Sequence, residues 1–238
     1  MIHHKFRCHS LADLMTDPKT KGEVLSKGAI TAIRKIAREI IFGVRGRVES
    51  KFIQKGLLCE NDSIALYNQV FLSNFVKNEE RRENEWLTGE PDIIDANFGI
   101  DIKTSWSVDT FPIVSEEGED KTYEWQCRGY MMLFDKPTWR VAYCLVDTPD
   151  NLIGYEDPSI HKVSHIPAHM RITEVLYERD STLEDKIKER VSVAQKYLED
   201  LLIQLTDKYE TFAKVTAYAR VTPEQLRQAS AKAEFSNA

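Results

Sequence analysis

WLTGEPDIIDANFGIDIKTSW, residues 86–106, reads as two short strands joined by a tight turn, with an unusual concentration of acid on them. Asp92 lies in Glu90-Pro91-Asp92, and Asp101 is separated from Lys103 by one apolar residue, Ile102. Residues two apart on a strand project from the same face, so Asp101 and Lys103 point one way while Ile102 packs the other. A turn at Asn97-Phe98-Gly99 is expected to fold the second strand beside the first and to bring Asp92 toward Asp101. Two carboxylates and an ammonium then share one small surface. Hard oxygen ligands suit Mg²⁺ or Mn²⁺; such a metal acidifies a water and neutralises a phosphate, while a neighbouring lysine orients or deprotonates the nucleophile. That is the chemistry of phosphodiester hydrolysis. A solvated hairpin gives the same pattern, and this stretch alone does not separate the two readings.

The rest of the chain sets the frame. With 238 residues, 42% of them hydrophobic and 29% charged, the chain has the composition of an ordinary soluble globular protein with room for one sizeable core. No apolar run has the length of a membrane span, and the start MIHHKFRCHS lacks the apolar region of a secretory signal, so a cytoplasmic protein is expected. The four cysteines, Cys8, Cys59, Cys127 and Cys144, form no C-x-x-C pair and read as reduced thiols rather than a zinc site. A net charge of −6 argues against a protein that coats nucleic acid, but says little about a local channel. Lys19, Lys21, Lys27, Arg34, Lys35, Arg38, Arg45, Arg47, Lys51 and Lys55 crowd the N-terminal quarter of the chain, as solvated helix faces or as DNA contacts.

Periodicity places the elements. Ser10 is expected to cap a short helical turn, and Ser26 a helix over 25–41 ending at Gly43. A longer helix is expected over 47–75, interrupted at Gly56. Residues 77–85 read as a charged, solvated loop and 107–120 as a mobile loop beside the site. A helix over 121–134 carries Gln126 and Tyr130 on one face. Residues 139–146 suit a buried central strand and 170–177 a further one. Ser181 is expected to cap a long amphipathic helix over 182–212, and Thr222-Pro223 to open a last short one before a frayed tail after Ala233.

Two further features bear on chemistry. Glu60, in Gly56-x-x-x-Glu60, is either the edge of an amphipathic stripe or a helical acid turned to the site. Gln126 and Tyr130 are either a partly exposed polar edge or a Q-x-x-x-Y motif. With Pro91-Asp92 and Asp101-Ile102-Lys103 these residues, in this order, resemble the RecB-like branch of the PD-(D/E)XK nucleases, and within it the lambda-exonuclease or YqaJ-like viral recombinase family, over about residues 5 to 210. The resemblance implies an α/β fold, a central mixed β-sheet flanked by helices with a restriction-endonuclease-like core. One nuclease domain over 1–238 is expected, with a helical N-terminal segment over 1–80, a catalytic sheet and Gln-bearing helix over 84–147, and a C-terminal strand and helices over 165–233.

The resemblance also implies a function: Mg²⁺-dependent degradation of the 5′-ended strand of linear duplex DNA, leaving 3′ overhangs for phage recombination. It implies a ring-shaped homotrimer, a single-strand annealing protein as partner, and work in the cytoplasm of a bacterial host of a phage or prophage. Asp92, Asp101, the Ile102 carbonyl and Glu60 would hold the metal, Mn²⁺ being a substitute; Lys103 would activate the attacking water and Gln126 steady it. Some relatives hold an iron–sulfur cluster on late cysteines, which this chain lacks after Cys144, so no cluster is expected. Arg7 and Ser10 would line a 5′-phosphate pocket, with Arg7 otherwise an ordinary surface charge. Ser105 would bind phosphate, Tyr130 would lie near DNA, and Trp106 is either a stacking platform or plain core. Two departures from the pattern are Asp101, where many relatives have Glu, and Glu90, where a small polar residue is expected. The other readings are a repair-type or helicase-associated endonuclease of the same superfamily, and a DNA-binding subunit that keeps the fold without turnover.

Overall fold

The computed structural model describes residues 4–46 and 49–219, and side chains as far as residue 213. Its centre is a four-stranded sheet in the order β4-β5-β6-β7, built from Ile93–Ile94, Phe98–Thr104, Thr138–Cys144 and Ile172–Glu178. β5 and β6 run parallel with Asp101 opposite Val141 and Ile102 opposite Ala142; the outer pairings are antiparallel. A parallel step needs a crossover, and helix α5, Lys121–Phe134, supplies it. A small second sheet joins β1 (Phe6–Arg7), β3 (Leu87–Gly89) and β2 (Arg82–Glu83) in the order β1-β3-β2. The architecture is the expected mixed sheet flanked by helices. Among the described residues no helix is long and apolar enough to cross a membrane.

The two faces of the main sheet are apolar for different partners. Trp139, Val141 and Val175 pack with α5, with α1 (Ala12–Met15) and α2 (Lys27–Phe42), and with α7 (Ser181–Ala219). On the other face Ile100, Ile102, Ala142 and Cys144 meet Ile64, Leu66 and Tyr67 of α4, Glu60–Phe71. Strand alternation therefore puts Asp101 and Lys103 on the α5 side. All four cysteines are buried and free.

Several local expectations are corrected. The first expected strand of 86–106 is split: β3 joins the small sheet, and only Ile93–Ile94 pairs with β5. Pro91 cannot donate to a ladder, and the Asp92 carbonyl accepts instead from Asn78 N at 2.7 Å. The turn closes one residue earlier, with Asp95 N donating to Phe98 O at 2.9 Å. Gly99 lies inside β5, where a Cβ would come within 2.2 Å of the Trp139 ring. That glycine serves a close approach, not the turn.

The helix expected over 47–75 is two helices, α3 (Lys51–Leu58) and α4, broken at Cys59 rather than Gly56. Ser50 caps α3, and the break leaves Glu60 in the first turn of α4, where the helix dipole favours an acid. Ser26 caps α2, accepting from Ala29 N at 3.1 Å, and Gly43 closes it in the left-handed region. Ser10 caps nothing; its hydroxyl donates to the Arg7 carbonyl at 3.1 Å. Asp180, not Ser181, caps α7, accepting from Thr182 N at 2.8 Å, and the helix runs past residue 212.

Within 77–85, Arg82–Glu83 forms an exposed strand. Residues 107–120 are tied down rather than loose: Tyr143 Oη donates to Gly118 O at 2.8 Å, Ser115 Oγ to Glu174 O at 2.8 Å and Thr173 Oγ1 to Pro112 O at 2.6 Å. A short helix α6, Asp150–Ile153, follows β6. The helix expected at Thr222-Pro223 and the tail after Ala233 lie outside the described residues.

Candidate active site

Asp101 is 2% exposed, an acid set into the packed side of β5. Its Oδ1 accepts from Gln126 Nε2 at 3.0 Å, and its Oδ2 lies 2.6 Å from Lys103 Nζ. That second contact is a tight ion pair, so among the described residues the Lys103 ammonium is the one group standing on Oδ2. Gln126 is held in place by Tyr130, whose hydroxyl is 3.2 Å from the same Nε2. Spaced one helical turn apart on α5, the two residues face β5 together. Gln126 therefore touches Asp101 rather than Lys103.

Asp92 enters from the segment before β4. Its Oδ2 accepts from Ile102 N at 2.7 Å, which fastens the carboxylate to the strand carrying Asp101. Burial first, then the nearby Asp101 charge, push the Asp92 carboxyl up to about 8. Burial opposes the charge on Lys103, but Asp101 outweighs it and lifts the ammonium above its usual range. Two carboxylates thus share one partly exposed ammonium, and a proton held on Asp92 relieves their repulsion.

A cleft of about 540 Å³ opens over these groups, lined by Glu60, Asp92, Asp101, Ile102, Lys103, Ser105 and Trp106 among others. Glu60 shares the cleft, but its carboxylate is ion-paired with Lys77. Among the described residues no group of three or more His, Cys, Asp or Glu is close enough to hold a metal ion, so the three expected carboxylates are not gathered. The donor set nevertheless fits a hard divalent cation. Mg²⁺ commonly takes only one or two carboxylates and fills its shell with water and substrate phosphate. Asp101 Oδ2 is met by a single cation and Asp92 is driven toward neutrality by its surroundings; a dication answers both.

Ser105, 7% exposed, has a hydroxyl with no hydrogen-bond partner and borders the cleft. Trp106 is packed: Nε1 donates to Glu156 Oε2 at 2.9 Å, and Phe52, His161 and Lys51 lie against its ring. It is a wall of the cleft, not a free stacking platform. Arg7 and Ser10 are not brought here. They line a separate cleft of about 410 Å³ with His9, Lys35, Glu39 and Arg45. Burial, Arg45 and Arg81 lower the Arg7 pKa, so positive charge is concentrated there. Glu90 turns to Arg81 at 2.7 Å, away from Asp101.

Three features escaped the sequence reading. Lys55, grouped with the surface cations, is fully buried: its ammonium donates to the carbonyls of Ser105 at 2.7 Å, Trp106 at 2.9 Å and Val146 at 2.9 Å. No pattern signals a lysine aimed at strand ends. Glu156 gathers Lys51, Trp106 and the buried His161, whose Nε2 is 3.1 Å away. Tyr123 lies under Lys103, with Nζ 4.3 Å from its ring centroid. Its i, i+3 spacing from Gln126 was the available clue.

A mixed sheet whose parallel strand carries Asp-x-Lys, with a second acid beside it and a glutamine helix behind, defines the chain as a nuclease of the PD-(D/E)XK class. Its structure is similar to that of a phage-related exonuclease from Haemophilus somnus 129PT, 37% identical, with a TM-score of 0.80 over 85% of this chain and 97% of that one. The chain belongs to the lambda-exonuclease and YqaJ-like family of viral recombinase nucleases, in the RecB-like branch. The fold is shared as well with the alkaline exonuclease LHK-Exo from Laribacter hongkongensis, 17% identical, TM-score 0.64, over 87% and 94% of the two chains. LHK-Exo in complex with dAMP matches at 17% identity and a TM-score of 0.63, with the same coverage. No protein-family model and no curated protein matches the chain.

Proposed function

We propose that this protein is a divalent-metal-dependent DNA exonuclease that digests linear duplex DNA from its 5′ ends, leaving 3′ single strands for phage recombination in the bacterial cytoplasm. The observation that carries this reading is the meeting of Asp92, Asp101 and Lys103 in one cleft, with Gln126 bonded to Asp101. The exonuclease relatives support the direction of the chemistry, and the dAMP held by LHK-Exo supports a deoxynucleotide substrate.

Asp92, Asp101 and the Ile102 carbonyl are the groups to hold Mg²⁺, or Mn²⁺ in its place, with Glu60 acting through water once released from Lys77. When bound, the metal supplies charge neutralisation at the phosphate and a more acidic water. Lys103, held as an ammonium, would donate a hydrogen bond to the attacking water or to a phosphate oxygen and so orient the reacting groups. Gln126 keeps Asp101 in one rotamer, and Tyr130 keeps Gln126 in place. The Ser105 hydroxyl, lacking a protein partner, is free to donate to a phosphate oxygen. Arg7 and Ser10 belong to this reading as a separate anion cleft, whose His9 feels the charge of Lys103. A ring trimer and a single-strand annealing partner are its further expectations.

The test is digestion of linear duplexes with 5′-phosphate or 5′-hydroxyl ends, against covalently closed circles, in Mg²⁺ and in EDTA. Metal-dependent loss of the linear forms alone is expected, fastest with 5′-phosphate. Rapid loss of closed circles overturns the exonuclease reading in favour of an endonuclease, and no digestion of any form favours a DNA-binding subunit.

A further inference from the structure

We propose that Tyr123 is the positioning residue for Lys103, its ring holding the ammonium in the cleft when Asp101 is engaged elsewhere. The inference rests on the nuclease reading above. Lys103 has two favourable neighbours, the Asp101 carboxylate at 2.6 Å and the Tyr123 ring at 4.3 Å. The ammonium stands on Asp101 Oδ2, and that carboxylate is one of the groups on which a divalent cation would draw. An oxygen that coordinates a metal no longer anchors an ammonium of the same sign. The ring face then remains as the attraction that keeps a long, flexible side chain pointed at the cleft.

The placement of Tyr123 suits that task. Asp120 caps the start of α5, fixing the first turn, and Tyr123 sits in that turn on the face that also carries Gln126. One helix therefore sets both neighbours of the Asp101–Lys103 pair: Gln126 on the carboxylate and Tyr123 on the ammonium. Tyr143 meets the Tyr123 ring edge-on at 6.3 Å and is itself anchored through its hydroxyl to Gly118, so the ring is buttressed from behind. Tyr123 borders the cleft and is half-buried. Its hydroxyl makes no hydrogen bond among the described residues, so the ring rather than the phenol is the working group.

The experiment replaces Tyr123 with phenylalanine, with leucine, and with phenylalanines bearing one, two and three ring fluorines, which weaken the electrostatic attraction of the face while keeping its shape. Turnover at saturating DNA and Mg²⁺ is read beside KM for DNA ends and beside Tm. Tyr123→Phe is expected to stay within about twofold of the parent, because the face survives. Tyr123→Leu is expected to lower kcat by roughly tenfold with KM within about twofold. Within the fluorinated set kcat should fall stepwise at constant Tm. A flat fluorine series, or Tyr123→Phe as impaired as Tyr123→Leu, overturns the inference, and the series stands even if the leucine variant does not fold. A parent protein inert on all DNA forms overturns the nuclease reading and this role with it; an active parent with a flat series overturns only the role of Tyr123.

Discussion

Two lysines lie beside the C-terminal end of β5, Lys55 fully buried and Lys103 partly exposed, and they are treated in opposite ways. Lys55 reaches from α3 to three carbonyls where β5 and β6 leave the sheet, so each ammonium proton has a carbonyl acceptor and, among the described residues, no carboxylate is hydrogen-bonded to it. Burial alone drives its pKa down to about 8. Lys103 has acids on one side and a ring on the other, and Asp101 holds it charged. Around Lys55 the hydrogen bonding is complete. Around Lys103 one ammonium serves the Asp101 carboxylate, and a neighbouring acid, Asp92, is pushed toward its neutral form. Full satisfaction is what a structural joint needs; an excess of like charge is what a site awaiting a cation needs.

Removing each lysine separates the two cases. Lys103→Ala is expected to lower kcat by on the order of 10² to 10³-fold, with DNA binding in Ca²⁺ retained, because the water loses its orienting group. An unchanged digestion rate removes Lys103 from the mechanism. Lys55→Met keeps the side-chain length but strands the buried carbonyls of Ser105 and Val146, while Trp106 O keeps Thr148 Oγ1 at 3.1 Å. Each unsatisfied group costs about 1–3 kcal/mol, partly offset because the charge no longer has to be desolvated. A net loss of about 3 kcal/mol, or roughly 6–12 °C in Tm, is expected. A Lys55→Met protein as stable as the parent breaks the comparison on its structural side.

Gln126→Ala probes the boundary between the two regions. The amide touches Asp101, not the reacting centre, so the expected loss is the roughly 10 to 100-fold typical of groups that orient a metal ligand. It should show as weaker Mn²⁺ binding measured by calorimetry. A fall in kcat with Mn²⁺ affinity unchanged would instead assign Gln126 to the water.

How far the sequence reached follows the same division. Asp101-Ile102-Lys103, Pro91-Asp92 and Gln126 with Tyr130 were legible because strand and helix periods fix which residues share a face. The central strand was legible from its apolar run of strand formers, and α5 as the helix that places Gln126 and Tyr130 on one face. What was not legible depends on long-range fit. Gly99 reads as a turn glycine until Trp139 is laid across it. Lys55 reads as a surface cation, since nothing local says that strand ends lie within its reach. The break at Cys59 carries no glycine or proline to mark it, and no spacing reveals that Arg7 and Ser10 line a cleft of their own.

The smallest effect is expected at Asp92, and its sign is opposite to that of most active-site changes. An acid with an ordinary pKa of 3.8 that is pushed up to about 8 binds its proton more tightly in the folded than in the unfolded chain. Stability contributed by such a group is present at low pH and is lost as pH rises through this window. The protein in EDTA should therefore lose Tm between about pH 5 and pH 8. Asp92→Asn keeps an acceptor for Ile102 N, which Asp92 Oδ2 now serves at 2.7 Å, and removes the charge. At pH 8 it should raise Tm in EDTA by roughly 2–5 °C, an advantage that shrinks toward pH 5. Mn²⁺ should erase the difference by stabilising the parent and not the variant. A variant less stable than the metal-free parent at pH 8 would show that Asp92 is comfortably ionised there, and that the cleft carries no excess of charge for a cation to relieve.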